Sequence, residues 1–248
     1  MAAHDKEIVV AQRRLEGELM DDPALAVHVH RAALRGLRRI NRASRTAATL
    51  WPRIARILSA RPGANASLLD VACGGGDVAI EIARRARRHA FALQVQGCDI
   101  SDTALKHAAL EASHAGELVK FVHADVLEEP LPQHYTFITC TLFLHHLSDA
   151  QIVALLRKLA ANADHLLISD LVRGPTGYAL AWAGTRLLSR SPIVHDDGLR
   201  SVRAALTLDE ARALADEAGL RDARFERHWP RRFLMTWSRQ ADASNVVR

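Results

Sequence analysis

A glycine-rich segment, LLDVACGGGD at residues 68–77, has the residue types and spacing of a ligand-binding turn. The apolar run before the glycines predicts a buried strand, and DVAIEIARRA after them predicts a helix. Glycines at such a junction let a ligand approach the main chain, and the helix start offers free N–H groups and positive potential. The segment therefore predicts a ligand site at the carboxyl end of a strand.

Three carboxylates, Asp70, Asp99 and Asp125, narrow the choice of ligand. The glycines also fit the dinucleotide pattern G-x-G-x-x-G/A, with Ala79 as its last position and Asp99 about twenty residues further on, where a ribose-binding acid is expected. A carboxylate inside the first strand, however, would repel a pyrophosphate and suits a ligand that carries an ammonium group. Asp70 thus favours a nucleoside ligand that carries an ammonium group, and NAD binding stays as the alternative.

The same residues resemble the class I S-adenosylmethionine (SAM)-dependent methyltransferases over residues 68–170. These enzymes share a strand with an acid before the glycines, an acid ending the second strand and an Ala-Asp pair after the third. The resemblance implies SAM as the cofactor, Asp70 near its methionine moiety, Asp99 on the ribose hydroxyls and Asp125 on the adenine amino group. The full predicted cofactor set is Asp70, Ala72, Cys73, Gly74, Gly76, Asp99, Ile100, Ser101, Asp125, Val126, Thr141 and Asn41.

Two members of this set depend on further expectations. Ala72 stands where the family usually has its first glycine, so this backbone position is expected not to need a positive φ. Asn41 shares one face of a predicted helix with Arg38 and Arg45, from which it would reach the cofactor carboxylate. A solvent-facing stripe is the alternative for that face.

The segment after the fourth predicted strand, TLFLHHL at 141–147, resembles the small-molecule branch, which includes quinone, polyketide and phenol methyltransferases. It lacks the N/D-P-P-Y/F loop of enzymes that methylate base amines. The resemblance implies a small hydrophobic aromatic or polyketide-like acceptor in specialised metabolism, with O-methylation of a phenolic hydroxyl. The alternatives are a C-methyltransferase of quinone biosynthesis, an RNA methyltransferase and an NAD-dependent oxidoreductase.

A phenol has a pKa near 10 and would gain from a general base, for which histidine suits neutral conditions. The candidates are His195, which precedes two aspartates that could orient its ring, and His146 and His145. Alignment without a side-chain base is the alternative. Tyr178, Trp182 and Leu187 are predicted to form an apolar face that closes over the acceptor ring, with ordinary helix packing on the sheet as the alternative. No metal is predicted, because only Asp170 offers an obvious oxygen ligand near the fourth and fifth strands.

The elements that must position these residues alternate between strands and helices from residue 67, which predicts parallel βαβ units. We predict an α/β, Rossmann-like, doubly wound and mostly parallel seven-stranded sheet, with strands near 67–72, 93–99, 119–124, 136–141, 165–170, 222–228 and 232–238. Residues 1–63 are expected to form a helical cap that starts at Asp22-Pro23, with a kink or restart at Pro52. Residues 64–240 form the predicted core, with 171–206 as a lid and 241–248 as a flexible tail.

Composition sets the class of protein rather than the reaction. Of 248 residues, 49% are hydrophobic and 25% charged, as in a globular domain. The positive charge behind the net +5 is nearly all arginine, and the strongest runs, Arg35–Arg45 and Arg84–Arg88, have no interleaved aromatic residues, so we expect no nucleic-acid partner. No apolar run is long enough for a membrane span and the first residues do not resemble a signal peptide, so a cytoplasmic location is expected. We expect a monomer or a homodimer. The three cysteines are expected to be reduced and buried.

Overall fold

The computed structural model describes residues 10–22 and 24–240, which contain one seven-stranded sheet. Its order is β3-β2-β1-β4-β5-β7-β6, where β7 runs antiparallel to both neighbours and the other pairs are parallel. The predicted mostly parallel Rossmann-like sheet is confirmed. The strands are β1 (Ala66–Val71), β2 (Leu93–Asp99), β3 (Val119–His123), β4 (Tyr135–Thr141), β5 (Ala163–Leu171), β6 (Arg224–His228) and β7 (Arg232–Ser238).

Helices cover both faces of the sheet and the carboxyl ends of its strands. They are α1 (Val27–Ala43), α2 (Thr46–Ser59), α3 (Asp77–Arg88), α4 (Asp102–Ala115), α5 (Asp149–Ala161), α6 (Pro175–Leu188), α7 (Pro192–Ala204) and α8 (Leu208–Glu217). Two short 3₁₀ turns, Leu19–Asp21 and Leu144–His146, lie near the carboxyl ends of the strands.

Local sequence fixes several helix ends. Ser148 and Gln151 form a capping box at the start of α5, and Thr207 and Glu210 form another at the start of α8. Gly219, with φ of 88°, ends the last turn after α8. The side chains of Ser148 and Thr207 accept hydrogen bonds from N–H groups that the first helical turn leaves without partners.

The core is divided by the sheet, because successive strand residues point to opposite faces. Leu68 belongs to the cluster with α2 and α3, whereas its neighbour Leu69 belongs to the cluster with α5 and α8. Both leucines are completely buried, as expected for a parallel strand covered on both sides. The ends of β1 and its neighbours are thereby held in fixed register.

The amino-terminal helices differ from the prediction in two ways. α1 begins at Val27 rather than at Asp22, and Pro23 lies outside the described residues. α2 passes through Pro52 as one helix, so the predicted restart is wrong. Trp51 and Ile54, on either side of the proline, are buried against the sheet, and this packing offsets the backbone hydrogen bond that proline cannot donate. α2 thus belongs to the core. Of the described amino-terminal residues, those of α1 and of the chain before it cover the carboxyl ends of the strands.

The insertion at 171–206 folds into α6 and α7 and returns to the core through a bridge between Val172 and Leu206. The cysteines are free and buried, as predicted. Within residues 10–22 and 24–240, no helix has the length and apolar character needed to cross a membrane. The predicted flexible tail, 241–248, lies outside the described residues.

Candidate active site

One large cavity opens at the carboxyl ends of the five parallel strands β1 to β5, with a volume of about 1150 Å³. Of the twelve predicted cofactor residues, ten line this cavity, and two, Asp70 and Gly76, do not. The ten come from the carboxyl ends of four strands, β1 to β4, the loops after them and helix α1. A pocket for one small ligand holds about 300–1,000 Å³, so this cavity has room for a cofactor and an acceptor together.

The glycine turn exposes its backbone to the cavity. Gly74 has a φ of 52°, and Ala72 has a φ of 51°, so the expectation that Ala72 avoids positive φ is wrong. The chain turns sharply out of β1 at this point, and the turn imposes the left-handed conformation on alanine at a steric cost. Gly76, at φ 72°, is needed for packing, because a Cβ there would lie 2.7 Å from Cζ of Phe121.

Asp99 is held rigidly at the end of β2. Its Oδ2 accepts a hydrogen bond from the N–H of Gly74 (2.7 Å), and its Oδ1 accepts one from the N–H of Ser101 (2.9 Å). Ser101 in turn caps α4 by accepting from the N–H of Ala104. Burial raises the pKa of Asp99. A partly buried carboxylate that faces a cavity with spare lone pairs is suited to accept hydrogen bonds from hydroxyl groups such as those of a ribose.

The part of the cavity wall beside Asp99 combines apolar and polar groups. Asp125 accepts a hydrogen bond from the N–H of Leu127 (2.9 Å), which orients the turn after β3. Val126, buried in the same turn, and Ile100, which is 62% exposed, line the cavity beside it. An exposed isoleucine next to a carboxylate provides one apolar surface and one polar edge, as a purine ring requires.

Asp70 lies beneath the turn and not on the cavity wall. It is buried, and its Oδ1 accepts a hydrogen bond from the hydroxyl of Thr139 in β4 (2.7 Å). Its Oδ2 has no partner among the described residues. Burial raises the pKa of Asp70 to about 7. Direct contact between Asp70 and a cofactor ammonium group therefore stays a prediction. The buried Oδ2 without a partner could accept a hydrogen bond from a donor group of the bound ligand.

Asn41, the predicted residue of α1, reaches the cavity next to a buried cation that sequence reasoning missed. Arg232, at the start of β7, lines the cavity and donates a hydrogen bond to Oγ1 of Thr46 (2.6 Å). Its Nε has no partner within the described chain, and burial lowers its pKa to about 10, so it stays charged at neutral pH. Arg38 instead pairs with Glu111 outside the cavity.

His145 is buried at the far end of the cavity, between two carboxylates. Its Nδ1 lies 2.7 Å from Oδ1 of Asp170, and its Nε2 lies 3.5 Å from Oε1 of Glu18. Burial by itself lowers the pKa of His145, but the charge and hydrogen bond of Asp170, together with Glu18, raise it to about 10. His145 is therefore an imidazolium in the ligand-free protein and does not serve there as the predicted general base.

His146 also lines the cavity and is less buried, with 24% of its side chain exposed. Its Nδ1 lies 3.3 Å from Oδ2 of Asp21, and its Nε2 lies 3.9 Å from Oε1 of Glu18. Burial would raise the pKa of Glu18, but His145 and His146 lower it. The two neighbouring histidines thus point their Nε2 atoms at one carboxylate oxygen.

The segment that carries Glu18 and Asp21 is fixed by contacts with α7. Asp197 accepts hydrogen bonds from the N–H groups of Leu19 (2.8 Å) and Met20 (3.1 Å). Burial raises the pKa of Asp197 to about 6. Sequence reasoning missed this segment because a single glutamate before the first helix has no pattern of its own. Its functional position follows only from long-range hydrogen bonds.

His195 does not reach the cavity, contrary to the prediction. Its Nε2 lies 2.8 Å from the backbone carbonyl of Ser189, and it is absent from the cavity wall. Neither neighbouring aspartate orients its ring, because Asp196 pairs with Arg200 and Asp197 binds the amino-terminal segment. On helix α7 these residues point in different directions, as helical geometry requires.

Tyr178 and Trp182 are likewise outside the cavity wall. Trp182 is 53% exposed on the outer side of α6, where the guanidinium of Arg186 lies over its ring. The inner side of this helix instead presents smaller residues to the cavity, among them Leu180 and Gly184. The predicted insertion does border the cavity, but its contribution is aliphatic rather than aromatic.

Comparison with known families supports a methyltransferase. A family described as "Methyltransferase domain" matches residues 68–163. The ubiquinone biosynthesis O-methyltransferase of Nitrosomonas europaea is 30% identical over 127 residues, which cover 50% of this chain and 52% of the relative. That of Nitrosospira multiformis is 30% identical over 161 residues, 63% of each chain. The chain thus spans between half and two thirds of the length of these curated relatives.

Solved structures share the fold at low identity. The magnesium protoporphyrin IX methyltransferase of Synechocystis PCC 6803, with bound SAH, aligns with a TM-score of 0.57 at 18% identity, over 83% of this chain and 93% of that one. An O-methyltransferase family 2 protein of Planctomyces limnophilus in complex with apigenin also gives 0.57, at 21% identity over 88% and 63%. Residues 68–163 thus match a methyltransferase-domain family, and the seven-stranded sheet and the glycine turn agree with that match.

Proposed function

We propose that the protein transfers a methyl group from SAM to a hydroxyl group on a small, apolar, ring-bearing molecule, with a phenol as the favoured acceptor. The observation that carries this proposal is the continuity of the cavity. One wall holds the predicted cofactor residues Asp99 and Asp125, and the other holds His145 and His146. Cofactor and acceptor would therefore lie in one enclosure.

The acceptor end has the chemistry of an apolar pocket with few polar groups. Leu37, Phe143, Leu180 and Leu188 line it from three different parts of the chain. Such a surface favours an apolar ring, and a small number of polar groups sets its orientation. The curated relatives are named as O-methyltransferases, which supports oxygen over carbon as the methylated atom.

The chain's own residues would act mainly by alignment and by exclusion of water. SAM, when bound, supplies a methyl group on a positively charged sulfur. Asp99 would hold the ribose and Asp125 the adenine, which fixes the methyl group relative to the acceptor end. The reacting oxygen must lie about 3–3.5 Å from the methyl carbon and in line with the bond that breaks. The aliphatic side of α6 would keep water from that line.

A nucleic-acid acceptor is less well supported. Several arginines in the predicted basic runs form ion pairs: Arg84 and Arg85 with Glu81, and Arg87 with Glu117. This pairing reduces the positive charge available to phosphates. The absence of a nucleic-acid partner, the cytoplasmic location and the monomeric or homodimeric state stay predictions.

The first experiment separates the cofactors. We expect S-adenosylhomocysteine to raise the melting temperature and NAD to leave it unchanged. Incubation with SAM and a panel of phenols, dihydroxybenzenes and hydroxyquinones should then give products heavier by one methyl group in mass spectrometry. Stabilisation by NAD alone, or methylation of RNA but of no phenol, would contradict the proposal.

A matched pair of histidine variants tests the acceptor end. His146→Ala removes a cavity residue, and His195→Ala removes a histidine of similar type outside the cavity. We expect His146→Ala to lower turnover at least tenfold with unchanged S-adenosylhomocysteine affinity, and His195→Ala to leave both quantities unchanged. Equal turnover in the two variants would mean that the acceptor does not approach His146.

A further inference from the structure

Glu18, His145 and His146 bring three potential metal ligands together at the acceptor end of the cavity. One ligand atom from each residue lies within 4.8 Å of the other two. Both Nε2 atoms face the same carboxylate oxygen, at 3.5 Å for His145 and 3.9 Å for His146. These separations are longer than ordinary N–H···O hydrogen bonds, which are about 2.7–3.2 Å.

The opposite nitrogen of each ring faces a second carboxylate. Nδ1 of His145 lies 2.7 Å from Asp170, and Nδ1 of His146 lies 3.3 Å from Asp21. Histidines that bind metals commonly direct their other ring nitrogen at a carboxylate, which fixes the tautomer and the ring orientation. Here two adjacent rings show this arrangement, with their free nitrogens converging.

We propose that Glu18, His145 and His146 bind one divalent transition-metal ion of the zinc type, with Asp170 and Asp21 as positioning residues. Tetrahedral zinc has bonds of about 2.0–2.1 Å to nitrogen and oxygen, so its ligand atoms lie about 3.3 Å apart. The two histidine-to-glutamate separations, 3.5 Å and 3.9 Å, are close to this value, and all three ligand atoms lie within 4.8 Å of one another. Two imidazoles favour zinc, cobalt, nickel or iron over magnesium and calcium. This proposal replaces the sequence-based expectation that no metal is bound.

The surroundings match a site with one open position. The side chains of His145 and Glu18 are 4% and 13% exposed, whereas that of His146 is 24% exposed towards the cavity. Glu18 also accepts a hydrogen bond from the hydroxyl of Ser201, which holds its carboxylate in place. Three protein ligands and an open fourth position are typical of catalytic rather than structural zinc.

A role for the ion rests on the proposed function. An acceptor hydroxyl at the open position would release its proton to water, because a nearby dication stabilises the oxyanion. The oxygen then forms a bond to the methyl carbon as the carbon–sulfur bond breaks, and that electron pair stays on sulfur. The negative oxygen and the positive sulfur thus become a neutral ether and a neutral thioether.

A proton is the competing occupant, because the same carboxylates hold one on His145 when no metal is present. Metal binding to histidine displaces protons, so the titrations belong at pH 8 rather than pH 6. The protein is first stripped with a chelator and then titrated with Co²⁺ or Zn²⁺. We expect one equivalent to bind, and Co²⁺ to give the visible absorption of a four-coordinate site.

Variants locate the bound ion. Glu18→Gln and His146→Asn should each abolish the Co²⁺ absorption, and Asp170→Asn should weaken Zn²⁺ affinity about 10–100-fold. His195→Asn, which alters a histidine outside the cavity, is the matched control and should bind Co²⁺ like the wild type. His146→Asn changes a partly exposed side chain, and circular dichroism checks that each variant is folded.

Two results would overturn the proposal: no stoichiometric Co²⁺ or Zn²⁺ binding by the wild type, or equal binding by the wild type and the Glu18→Gln/His146→Asn double variant. Binding of S-adenosylhomocysteine is measured on the same samples. If it fails while Co²⁺ still binds with the expected variant pattern, the proposed function is wrong and the metal site stands. If it succeeds without metal binding, only the metal site is wrong.

Discussion

The two ends of the cavity are built in different ways. Eight of the ten cofactor residues on the cavity wall come from the end of β2 and the loops after β1, β2 and β3, within about sixty residues of sequence, and each loop follows its strand directly. The acceptor end combines Glu18 and Asp21 with the turn at Leu144–His146, the end of β5 and helices α1, α6 and α7. The first end is local in sequence, and the second is assembled by tertiary contacts.

This difference explains where sequence reasoning succeeded. Parallel strands in fixed register bring the ends of β1 and β2 together, so Asp99 and the glycine turn had to be neighbours. No comparable rule connects Glu18 to His145, which are 127 positions apart in the sequence and meet through the packing of the amino-terminal segment on α7. Side chains that meet in this way have no periodicity for a pattern to reveal.

The largest expected effect tests whether the acceptor end depends on its buried charges. Asp170 pairs with His145 in the interior (2.7 Å), and Asp164 pairs with His134 at the surface (2.9 Å). In metal-free protein, Asp170→Ala should lower the free energy of unfolding by about 3–5 kcal/mol, because it leaves a buried imidazolium without its partner. Asp164→Ala should cost less than about 1 kcal/mol.

Urea denaturation measures both variants, and isothermal titration measures their affinity for S-adenosylhomocysteine. The comparison predicts that this affinity changes little in the folded Asp170→Ala protein, because the cofactor end is local. Similar losses of stability at Asp170 and Asp164 would show that burial does not distinguish the two pairs.

The second effect tests the cofactor end. Asp99→Ala should weaken S-adenosylhomocysteine binding about 100-fold or more, since hydrogen bonds to a charged group contribute about 1.5–3 kcal/mol each and a ribose offers two hydroxyls. Asp209→Ala removes an exposed carboxylate at the start of α8 and is the control. Isothermal titration gives both constants, and an unchanged constant for Asp99→Ala would refute the ribose role.

The third effect concerns pH and Asp70. Its pKa is about 7 in the folded protein and 3.8 in an unperturbed carboxyl, so the folded state holds the proton more tightly than the unfolded state. Protonated Asp70 therefore adds to the free energy of unfolding as the pH falls through 7, and this contribution is lost as the pH rises through 7. For cofactor-free protein, this contribution is about 1.4 kcal/mol between pH 6 and pH 8.

Denaturation of the wild type and of Asp70→Asn at pH 6 and pH 8 isolates this contribution. The variant should lack it, and the difference between the two pH values should shrink by that amount. The same pH dependence in both proteins would mean that Asp70 stays ionised beneath the turn.

The smallest effect concerns the turn backbone. Ala72→Gly should raise the free energy of unfolding by about 0.5–1 kcal/mol, because glycine removes the steric cost of positive φ but gains more freedom in the unfolded chain. Gly76→Ala should destabilise by more than Gly74→Ala, since only at Gly76 would a Cβ collide with Phe121. Thermal denaturation ranks the three variants. Destabilisation by Ala72→Gly would show that the alanine methyl contributes packing that outweighs the strain.

The sequence by itself determined the fold and the cofactor end. Alternating apolar runs located the strands to within a few residues, and the carboxylates after them followed from the rule that parallel strands end on one edge. Nine of the twelve predicted cofactor residues line the cavity for this reason, and a tenth, Asn41, reaches it from α1. The other two, Asp70 in β1 and Gly76 at the end of the glycine turn, do not line the cavity.

Only the tertiary structure decided the acceptor end. His195, Tyr178 and Trp182 were chosen by residue type, but the rotation of α6 and α7 turns all three away from the cavity. Conversely, Glu18 and Arg232 line it without any local pattern. The physical reason is that the direction of a helix face and the partner of a buried charge depend on packing between distant segments, which residue spacing along the chain does not encode.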